Sequence, residues 1–398
     1  MIEIQNENQC CGCGACAASC PQKCISMIPL TLGALFPIVD NNKCLHCNLC
    51  DTVCPIKNVD TLAIKKDTKQ QAFAAYAEDE TVRFNGSSGG IFQTLATHLL
   101  DLGFEVYGAA FDKQLNLHCV GVTRKQDLLP LCKSKYLQSN LIDKFKEISD
   151  HLNAGISILF VATPCQVAAL KLFLKRDYDN LITVDFFCLG VPSQKFFNEC
   201  TEYEDNKYAR KTISYEFRTK VKGGVTPHYF TIVTEKNEKK NISTYIYFKS
   251  IFYAAFQQNV TLRESCYTCV FANRNRFSDI TIGDFHEINK YVPIIDRYKG
   301  ISTVIINTSK GLSLWNVISS SLSVYPLSLE RLITDKVCFA GPTNRPNHRD
   351  AFISCYNIGG IKSLDKKYLN QNKYIRHKIY YLLPEFIRQQ IKEKFKLS

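Results

Sequence analysis

The sequence predicts an α/β protein, α+β overall, that begins with a small metal-stabilised segment and ends in helices. Ten of its 19 cysteines lie before residue 55, which is too dense for ordinary packing. A strand, a helix and a second strand follow one another closely over residues 156–187, as in a parallel βαβ unit. Apolar residues with helical spacing recur from residue 375 onward.

The composition of the 398-residue chain excludes several classes of protein. An apolar fraction of 45% and a charged fraction of 22% are ordinary for a globular chain, and they exclude disorder and collagen. The longest uncharged apolar stretch, residues 152–170, is interrupted by Asn153, Gly155, Pro164 and Gln166, so we expect no transmembrane segment. The N-terminus lacks a basic and an apolar leader region, and we therefore expect a cytoplasmic, reducing location.

The chain is basic, with 49 Lys and Arg against 37 Asp and Glu and a net charge of +12. These basic residues are spread along the sequence, and no nucleic-acid-binding motif accompanies them. We therefore expect no nucleic-acid partner. Phosphate-bearing cofactors and acidic partner proteins account for the excess charge equally well.

Two cysteine runs dominate the first 60 residues. Each reads C-x2-C-x2-C-x3-C-P, which is the spacing of bacterial two-cluster ferredoxins. Three thiolates at this spacing wrap one iron–sulfur cube, and the fourth, before a chain-turning proline, ligates the other cube. We therefore assign two [4Fe-4S] clusters to a ferredoxin-type domain. The first cluster is assigned to Cys10, Cys13, Cys16 and Cys54, and the second to Cys20, Cys44, Cys47 and Cys50.

Zinc is the competing metal, because it also accepts four cysteine ligands. Zinc sites usually pair two separated C-x2-C knuckles, whereas here three ligands fall within seven residues, which favours iron–sulfur clusters. Cys11 and Cys24 are left over, and we interpret them, like His46, as packing residues.

The remainder of the chain alternates strands and helices. Polar residues 58–71 predict a linker. Strands are predicted over residues 72–76, 104–111, 156–163, 181–187 and 302–308, and helices begin after residues 90 and 164. Residues 207–260 predict antiparallel strands. Because the carboxyl ends of parallel strands meet at one edge of a sheet, Cys165 and Cys188 are predicted to lie together.

Several segments, in order, resemble the coenzyme F-420 hydrogenase/dehydrogenase beta-subunit family over roughly residues 72–310. They are residues 87–90 (SSGG), 106–112 (VYGAAFD), 133–136 (KSKY), 163–166 (TPCQ), 188–190 (CLG), the pair Cys266 and Cys269, and residues 279–284 (DITIGD). The resemblance implies an FAD-containing iron–sulfur protein that moves electrons between clusters and a deazaflavin coenzyme or an organic substrate. The flavin contacts that it implies are Ser87, Ser88, Gly89, Gly90, Lys135, Thr163, Pro164, Gln166 and Asp284.

Two positions depart from the family pattern. Leu189 stands where the family usually has the histidine of Cys-His-Gly, and His286 and Glu287 stand where it usually has Trp-Gly. Both changes fall near the predicted redox centre and weaken the expectation that coenzyme F-420 itself is used. Bacterial members of this kind often resemble parts of surface-polysaccharide pathways, which implies a sugar or a related substrate.

Two of these sites have a structural alternative. Residues 87–90 open a helix whose N–H groups would suit a flavin, or they form an ordinary N-cap with close helix packing. Cys165, Cys188, Cys266 and Cys269 would hold a third [4Fe-4S] cluster, or they are buried free thiols.

The other cysteines and histidines are interpreted as structural. They are Cys119, Cys132, Cys200, Cys338, Cys355, His98, His118 and His228. The predicted regions are a ferredoxin-type domain (1–60), two parts of a beta-subunit-like region (72–150 and 151–325) and a helical, basic extension (326–398).

Two functions follow from these observations. The first is an FAD- and iron–sulfur-dependent oxidoreductase that acts on a small-molecule substrate or a deazaflavin-type coenzyme. The second is an electron-transfer subunit that relays electrons to a separate catalytic protein. Both imply an electron-donor protein, such as a ferredoxin or another redox subunit, and both leave open a homo-oligomer.

Overall fold

The computed structural model describes residues 1–62, 67–221, 229–285, 299–335 and 337–368, with residues 379, 383, 384, 387 and 390. His228, His286, Glu287 and the Cys338 side chain lie outside the described residues, as do nearly all of the helices predicted beyond residue 375. None of the described helices is long and apolar enough to cross a membrane.

The described α-helices, in chain order, are α1 Ala15–Ala18, α2 Leu49–Thr52, α3 Glu80–Asn85, α4 Ile91–Asp101, α5 Ile142–Asn153, α6 Pro164–Leu174, α7 Gln194–Tyr208, α8 Ile251–Gln257, α9 Ser309–Ile318, α10 Leu329–Asp335, α11 Val337–Ala340 and α12 Arg349–Tyr368. The described strands are β1 Ile25–Pro29, β2 Leu35–Val39, β3 Gln71–Ala77, β4 Glu105–Phe111, β5 Leu117–Val122, β6 Ile158–Val161, β7 Leu181–Phe186, β8 Lys211–Phe217, β9 Tyr229–Lys236, β10 Lys239–Ile246, β11 Ile280–Asp284, β12 Ser302–Ile306 and β13 Leu322–Leu327.

The chain divides into two compact units, each built from two separate stretches of sequence. The first unit comprises Met1–Lys195 and Leu262–Arg345, and the second comprises Phe196–Thr261 and Pro346–Ser398. The predicted thiol and flavin residues all belong to the first unit.

The N-terminal segment of the first unit contains little regular structure. β1 and β2 form an antiparallel hairpin, which the sequence pattern did not predict, and α1 and α2 are single turns that carry one cysteine of each run. Helices of four residues are unstable by themselves in water. Their small core consists largely of cysteine sulfur with Ile2 and Ile25. Stability in this segment therefore depends on what the thiols bind.

An eight-stranded mixed sheet forms the centre of the first unit, with the strand order β13-β3-β12-β11-β7-β6-β4-β5. Its middle strands β11, β7, β6 and β4 are parallel neighbours, and the remaining pairs are antiparallel. The sequence prediction of a mixed α/β protein with a parallel βαβ unit is confirmed, because β6, α6 and β7 form that unit. β6 is buried on both faces, as its uninterrupted apolar sequence requires.

The direction of the strands creates a common edge. β3 is antiparallel to β12, and β12 is antiparallel to β11, so β3 runs in the same direction as β11, β7, β6 and β4. The carboxyl ends of these five strands therefore lie along one edge of the sheet, which we call the carboxyl edge.

The second unit contains a three-stranded antiparallel sheet of order β10-β9-β8, which agrees with the strands predicted between residues 207 and 260. Aromatic side chains fill its core, including Tyr215 stacked on Phe230 at 5.2 Å and Phe217 against Tyr253 at 5.4 Å. These rings bury large apolar area, which stabilises a sheet of only three strands.

Asp279 connects the sheet of the first unit to α9. Its carboxylate accepts hydrogen bonds from the N–H and the hydroxyl of Thr183, both at 2.8 Å, and from the hydroxyl of Thr308 at 2.6 Å. The Asp279 residue is only 5% exposed. Removing the carboxylate would leave buried donors without an acceptor, which is costly.

We predict that Asp279→Ala lowers the free energy of unfolding by about 2–4 kcal/mol, measured from urea denaturation. Asp127→Ala is the control, because Asp127 forms an exposed ion pair with Arg124, and its loss should change the stability by less than about 0.5 kcal/mol. Equal denaturation midpoints for the two variants would contradict this interpretation of Asp279.

Candidate metal centre

The two N-terminal cysteine runs fold into loops with the same local geometry. The backbone N–H of Gly12 donates to the Sγ of Cys10 at 3.3 Å, and the N–H of His46 donates to the Sγ of Cys44 at 3.4 Å. In each run the residue two positions after the first cysteine therefore points its amide at that sulfur. Such N–H···S bonds stabilise thiolates and influence the potential of a bound cluster.

The first predicted ligand set is brought together around Cys16. Burial raises the pKa of Cys16 to about 12, and the neighbouring charges of Cys10, Cys54 and Cys50 contribute to this rise. Cys10 and Cys54 belong to the same predicted set, whereas Cys50 belongs to the second. Without metal the Cys16 thiol is protonated, so a metal that binds it must displace the proton.

The second predicted set lines one small cavity. Cys20, Cys44, Cys47 and Cys50 surround it together with Cys24. The Sγ of Cys24 lies 3.4 Å from the Sγ of Cys20, so a residue that the sequence analysis assigned to packing adjoins a predicted ligand. Of these five cysteines, Cys47 is exposed to solvent and Cys50 is buried.

Four cysteines distant in sequence meet in a second cavity, at the carboxyl edge. Cys165 lies in the first turn of α6, Cys188 follows β7, and Cys266 and Cys269 come from the loop before β11; all four line the cavity. Gly190 allows this close approach. Its φ of +126° favours glycine, and a Cβ there would lie 2.9 Å from the Cβ of Cys266.

These four cysteines are half-buried and lie close enough to affect one another's charge. Burial raises the pKa of Cys188 well above its usual value, and the charges of Cys266, Cys165 and Cys269 raise it further. Burial also raises the pKa of Cys266 to about 12 and that of Cys269 to about 11. Four neighbouring thiols that affect one another in this way have the donor chemistry of a [4Fe-4S] site.

Cys11 lies against both the first set and this third set. Its side chain packs with those of Cys13 and Cys165, and its carbonyl oxygen accepts a hydrogen bond from the Gln138 amide at 2.6 Å. The sequence analysis assigned Cys11 to packing, because nothing in the spacing of the run connects it to a cysteine 154 positions away.

Single-metal geometry is not found among the residues that the structure describes: no three His, Cys, Asp or Glu side chains there are arranged to hold one ion. Zinc would draw its sulfurs close together, since its Zn–S bonds are about 2.3 Å. Thiols that surround a cavity match a cluster of several atoms instead, whose ligands stand farther apart.

Residues 87–90 follow β3 at the carboxyl edge and are tied to the protein around them. The Ser87 hydroxyl accepts from the Ser134 N–H at 2.6 Å, and the Ser88 hydroxyl donates to the carbonyl of Ile301 at 2.5 Å. A Cβ on Gly89 would lie 2.4 Å from the carbonyl oxygen of Ala75. Close packing and these hydrogen bonds hold residues 87–90 in place, and Gly90, with a φ of +85°, is the N-cap of α4.

The other predicted flavin residues also have protein partners. The Lys135 ammonium donates to the carbonyls of Pro130 and Cys132, both at 2.6 Å. Thr163 and Gln166 form the capping box of α6, and the buried Gln166 amide donates to the Ser139 carbonyl at 3.0 Å.

The predicted flavin residues form two groups along the carboxyl edge. Thr163 and Pro164 line the cavity of the third thiol set. Asp284, at the end of β11, pairs in register with Ser302, whose hydroxyl accepts from the Gly89 N–H at 2.9 Å. Asp284 and residues 87–90 are thus neighbours at the carboxyl edge.

We predict that Gly89→Ala destabilises the protein by about 1–3 kcal/mol, because its Cβ would collide with the backbone of β3. Gly341→Ala is the control, since no atom lies within 4 Å of the Cβ position there. Thermal denaturation of both variants checks this. A Gly89→Ala protein as stable as the control would mean that the backbone of β3 can shift to accommodate the extra methyl group at little cost.

Comparison with known proteins gives one family. Residues 156–328 match the family described as the C terminus of the beta subunit of coenzyme F420 hydrogenase/dehydrogenase. A comparison with curated proteins finds no match.

Among solved structures, the chain is similar to a chain of the F420-reducing [NiFe] hydrogenase complex from Methanosarcina barkeri, studied by xenon derivatization. The identity is 20%, the TM-score is 0.46, and the alignment covers 73% of this chain and 93% of that chain. The matched family region contains β6, α6 and β7 and all four cysteines of the third set. The similarity to the C-terminal part of coenzyme F420 hydrogenase/dehydrogenase beta subunits therefore concerns residues 156–328 of this chain.

Proposed function

We propose that the chain is an iron–sulfur electron-transfer subunit of an oxidoreductase, which accepts electrons from a donor protein and relays them to a separate catalytic partner. The observation that carries the proposal is the meeting of Cys165, Cys188, Cys266 and Cys269 around one buried cavity. These residues span more than 100 positions of sequence, and such a meeting of thiols is typical of a metal centre rather than of ordinary packing.

Contacts between the three thiol sets support a relay. Cys50 of the second set and Cys16 of the first set share one apolar cluster. Cys13 of the first set contacts Cys11, which contacts Cys165 of the third set. The thiols therefore form a continuous series from the exposed Cys47 to the half-buried Cys188, and we propose that a donor protein such as a ferredoxin docks at the exposed end.

The roles of the residues follow from their surroundings. Iron–sulfur clusters, when bound, accept and release one electron at a time. The amides of Gly12 and His46 stabilise thiolate charge in the N-terminal loops. The hydroxyl of Thr163 lies 3.3 Å from the Sγ of Cys165 and can do the same in the third set.

We predict about twelve iron atoms per chain after anaerobic purification, four for each thiol set. Changing Cys266 and Cys269 together to alanine should lower the count to about eight, because two of the four ligands of one cluster are lost. Iron and acid-labile sulfide are measured together with the EPR spectrum of the dithionite-reduced protein.

Cys355→Ala serves as the matched control, since Cys355 is a half-buried cysteine on α12 and belongs to no thiol set. Its iron content should equal that of the wild type. An unchanged iron count in the Cys266 and Cys269 double variant would reject the third cluster, and a zinc-loaded, colourless wild type would reject all three.

A flavin site at the same edge defines a second candidate function, in which FAD bound by this chain serves a small organic substrate or a deazaflavin-type coenzyme. The observation that favours it is the proximity of Asp284, Ser302 and Gly89 along the edge that also holds the third thiol set. FAD, when bound, connects one-electron and two-electron carriers. A sugar-related substrate from surface-polysaccharide biosynthesis fits this second function.

For the flavin candidate we predict that Ser88→Tyr abolishes FAD binding and leaves the iron content unchanged, because a ring at this position would cover the N-terminus of α4. Ser320→Tyr, at an exposed position, is the control. Flavin released by denaturing each protein is measured by fluorescence. A wild-type protein that releases no flavin would favour the relay without FAD. A Ser88→Tyr protein that releases as much flavin as the wild type would show that residues 87–90 do not contact FAD.

A further inference from the structure

Arg263 places a buried positive charge beside two thiol sets. The residue is 3% exposed. Its Nη2 donates to the carbonyl oxygens of Cys10 at 3.1 Å and Leu35 at 2.8 Å, and its Nη1 donates to the Oε1 of Gln138 at 3.1 Å. The guanidinium also lies over the ring of Phe36, 4.6 Å from its centre.

No carboxylate among the described residues forms an ion pair with Arg263. Its sequence neighbour Glu264 is instead paired with Arg345, at 3.1 Å. Neutral carbonyl oxygens satisfy the N–H groups of a guanidinium, but they do not neutralise its charge. Because an uncompensated buried charge is strongly unfavourable, a negative group is expected close by.

The charge lies against the loop that carries the first predicted ligand set. A Cβ on Gly12, in the first cysteine loop, would lie 2.5 Å from Nη1, so the guanidinium packs directly against that loop. Burial raises the pKa of Cys10 and of Cys266, and the charge of Arg263 opposes the rise at both thiols. The residue also contacts the third set directly, because its carbonyl oxygen accepts a hydrogen bond from the backbone N–H of Cys266 at 3.0 Å.

We infer that Arg263 is the shared counter-charge of the first and third clusters, and that it raises their reduction potentials. The inference rests on the proposed iron–sulfur function. A four-iron cluster held by four thiolates is a net anion, and its negative charge grows by one when it takes up an electron from the donor protein. A fixed cation stabilises the more negative, reduced form, and arginine keeps its proton throughout.

Arg263→Gln tests this inference in an anaerobic redox titration followed by EPR. Losing the charge should lower the equilibrium constant for one-electron reduction of at least one cluster by tenfold or more. A tenfold change corresponds to a shift of about 59 mV to lower potential. Arg263→Lys keeps the charge without the planar fork, and its reduction equilibria should stay within about threefold of the wild type.

Arg83→Gln is the matched control. Arg83 is also buried, at 5% exposure, but it donates to the carbonyl of Gly300 at 2.9 Å and lies over the ring of Tyr76. Its replacement should leave every potential unchanged.

The outcomes separate this inference from the proposed function. An iron-free wild type would overturn both. Wild-type iron with unchanged potentials in Arg263→Gln, or equal shifts in the Gln and Lys variants, would overturn the counter-charge alone. If Arg263→Gln loses iron, the Arg263→Lys variant distinguishes an effect of the charge from an effect of the hydrogen bonds. Iron and potentials retained in the Lys variant support the charge, whereas iron lost there too would mean that Arg263 acts through its hydrogen bonds to Cys10 and Leu35.

Discussion

The shared direction of five strands is the constraint on which the candidate centre depends. Because β3, β11, β7, β6 and β4 end at one edge, the loops that follow them must meet there. Cys165 and Cys188 follow β6 and β7 directly, so the register of that pair determines the separation of two thiols. Cys266 and Cys269 reach the same cavity from the loop before β11. Reversing one of these strands would disperse the site.

A second constraint acts in the N-terminal segment, where thiols replace the apolar core that a longer chain would have. α1 and α2 are single turns, and the cluster of buried residues between them is mostly sulfur. Under the proposed function, such a segment would gain its stability from the clusters that its cysteines hold, and folding and cofactor loading would be coupled. Burial adds to this coupling, because Cys16 must lose a proton from a thiol whose pKa is raised to about 12.

Sequence patterns predicted those parts of the fold that depend on local spacing. The βαβ unit was predicted from an apolar run, a proline-initiated helix and a second run, and this placed Cys165 next to Cys188. The hairpin β1–β2 was not predicted, because its strands are short and do not alternate clearly in hydrophobicity. The contacts of Cys11 with Cys165 and of Arg263 with Cys10 were also not predicted, since each connects residues more than 150 positions apart. Residues 87–90 had two interpretations; the packing of Gly89 against β3 agrees with close helix packing, and the flavin contact stays a prediction.

Iron K-edge anomalous diffraction from anaerobically grown crystals of the full chain tests the central claim most directly. The account predicts iron density within the cavity lined by Cys165, Cys188, Cys266 and Cys269, in addition to iron at both N-terminal sets. An iron-loaded N-terminal segment with no iron in that cavity would contradict it, because the thiols at the carboxyl edge would then be packing residues rather than part of an electron relay.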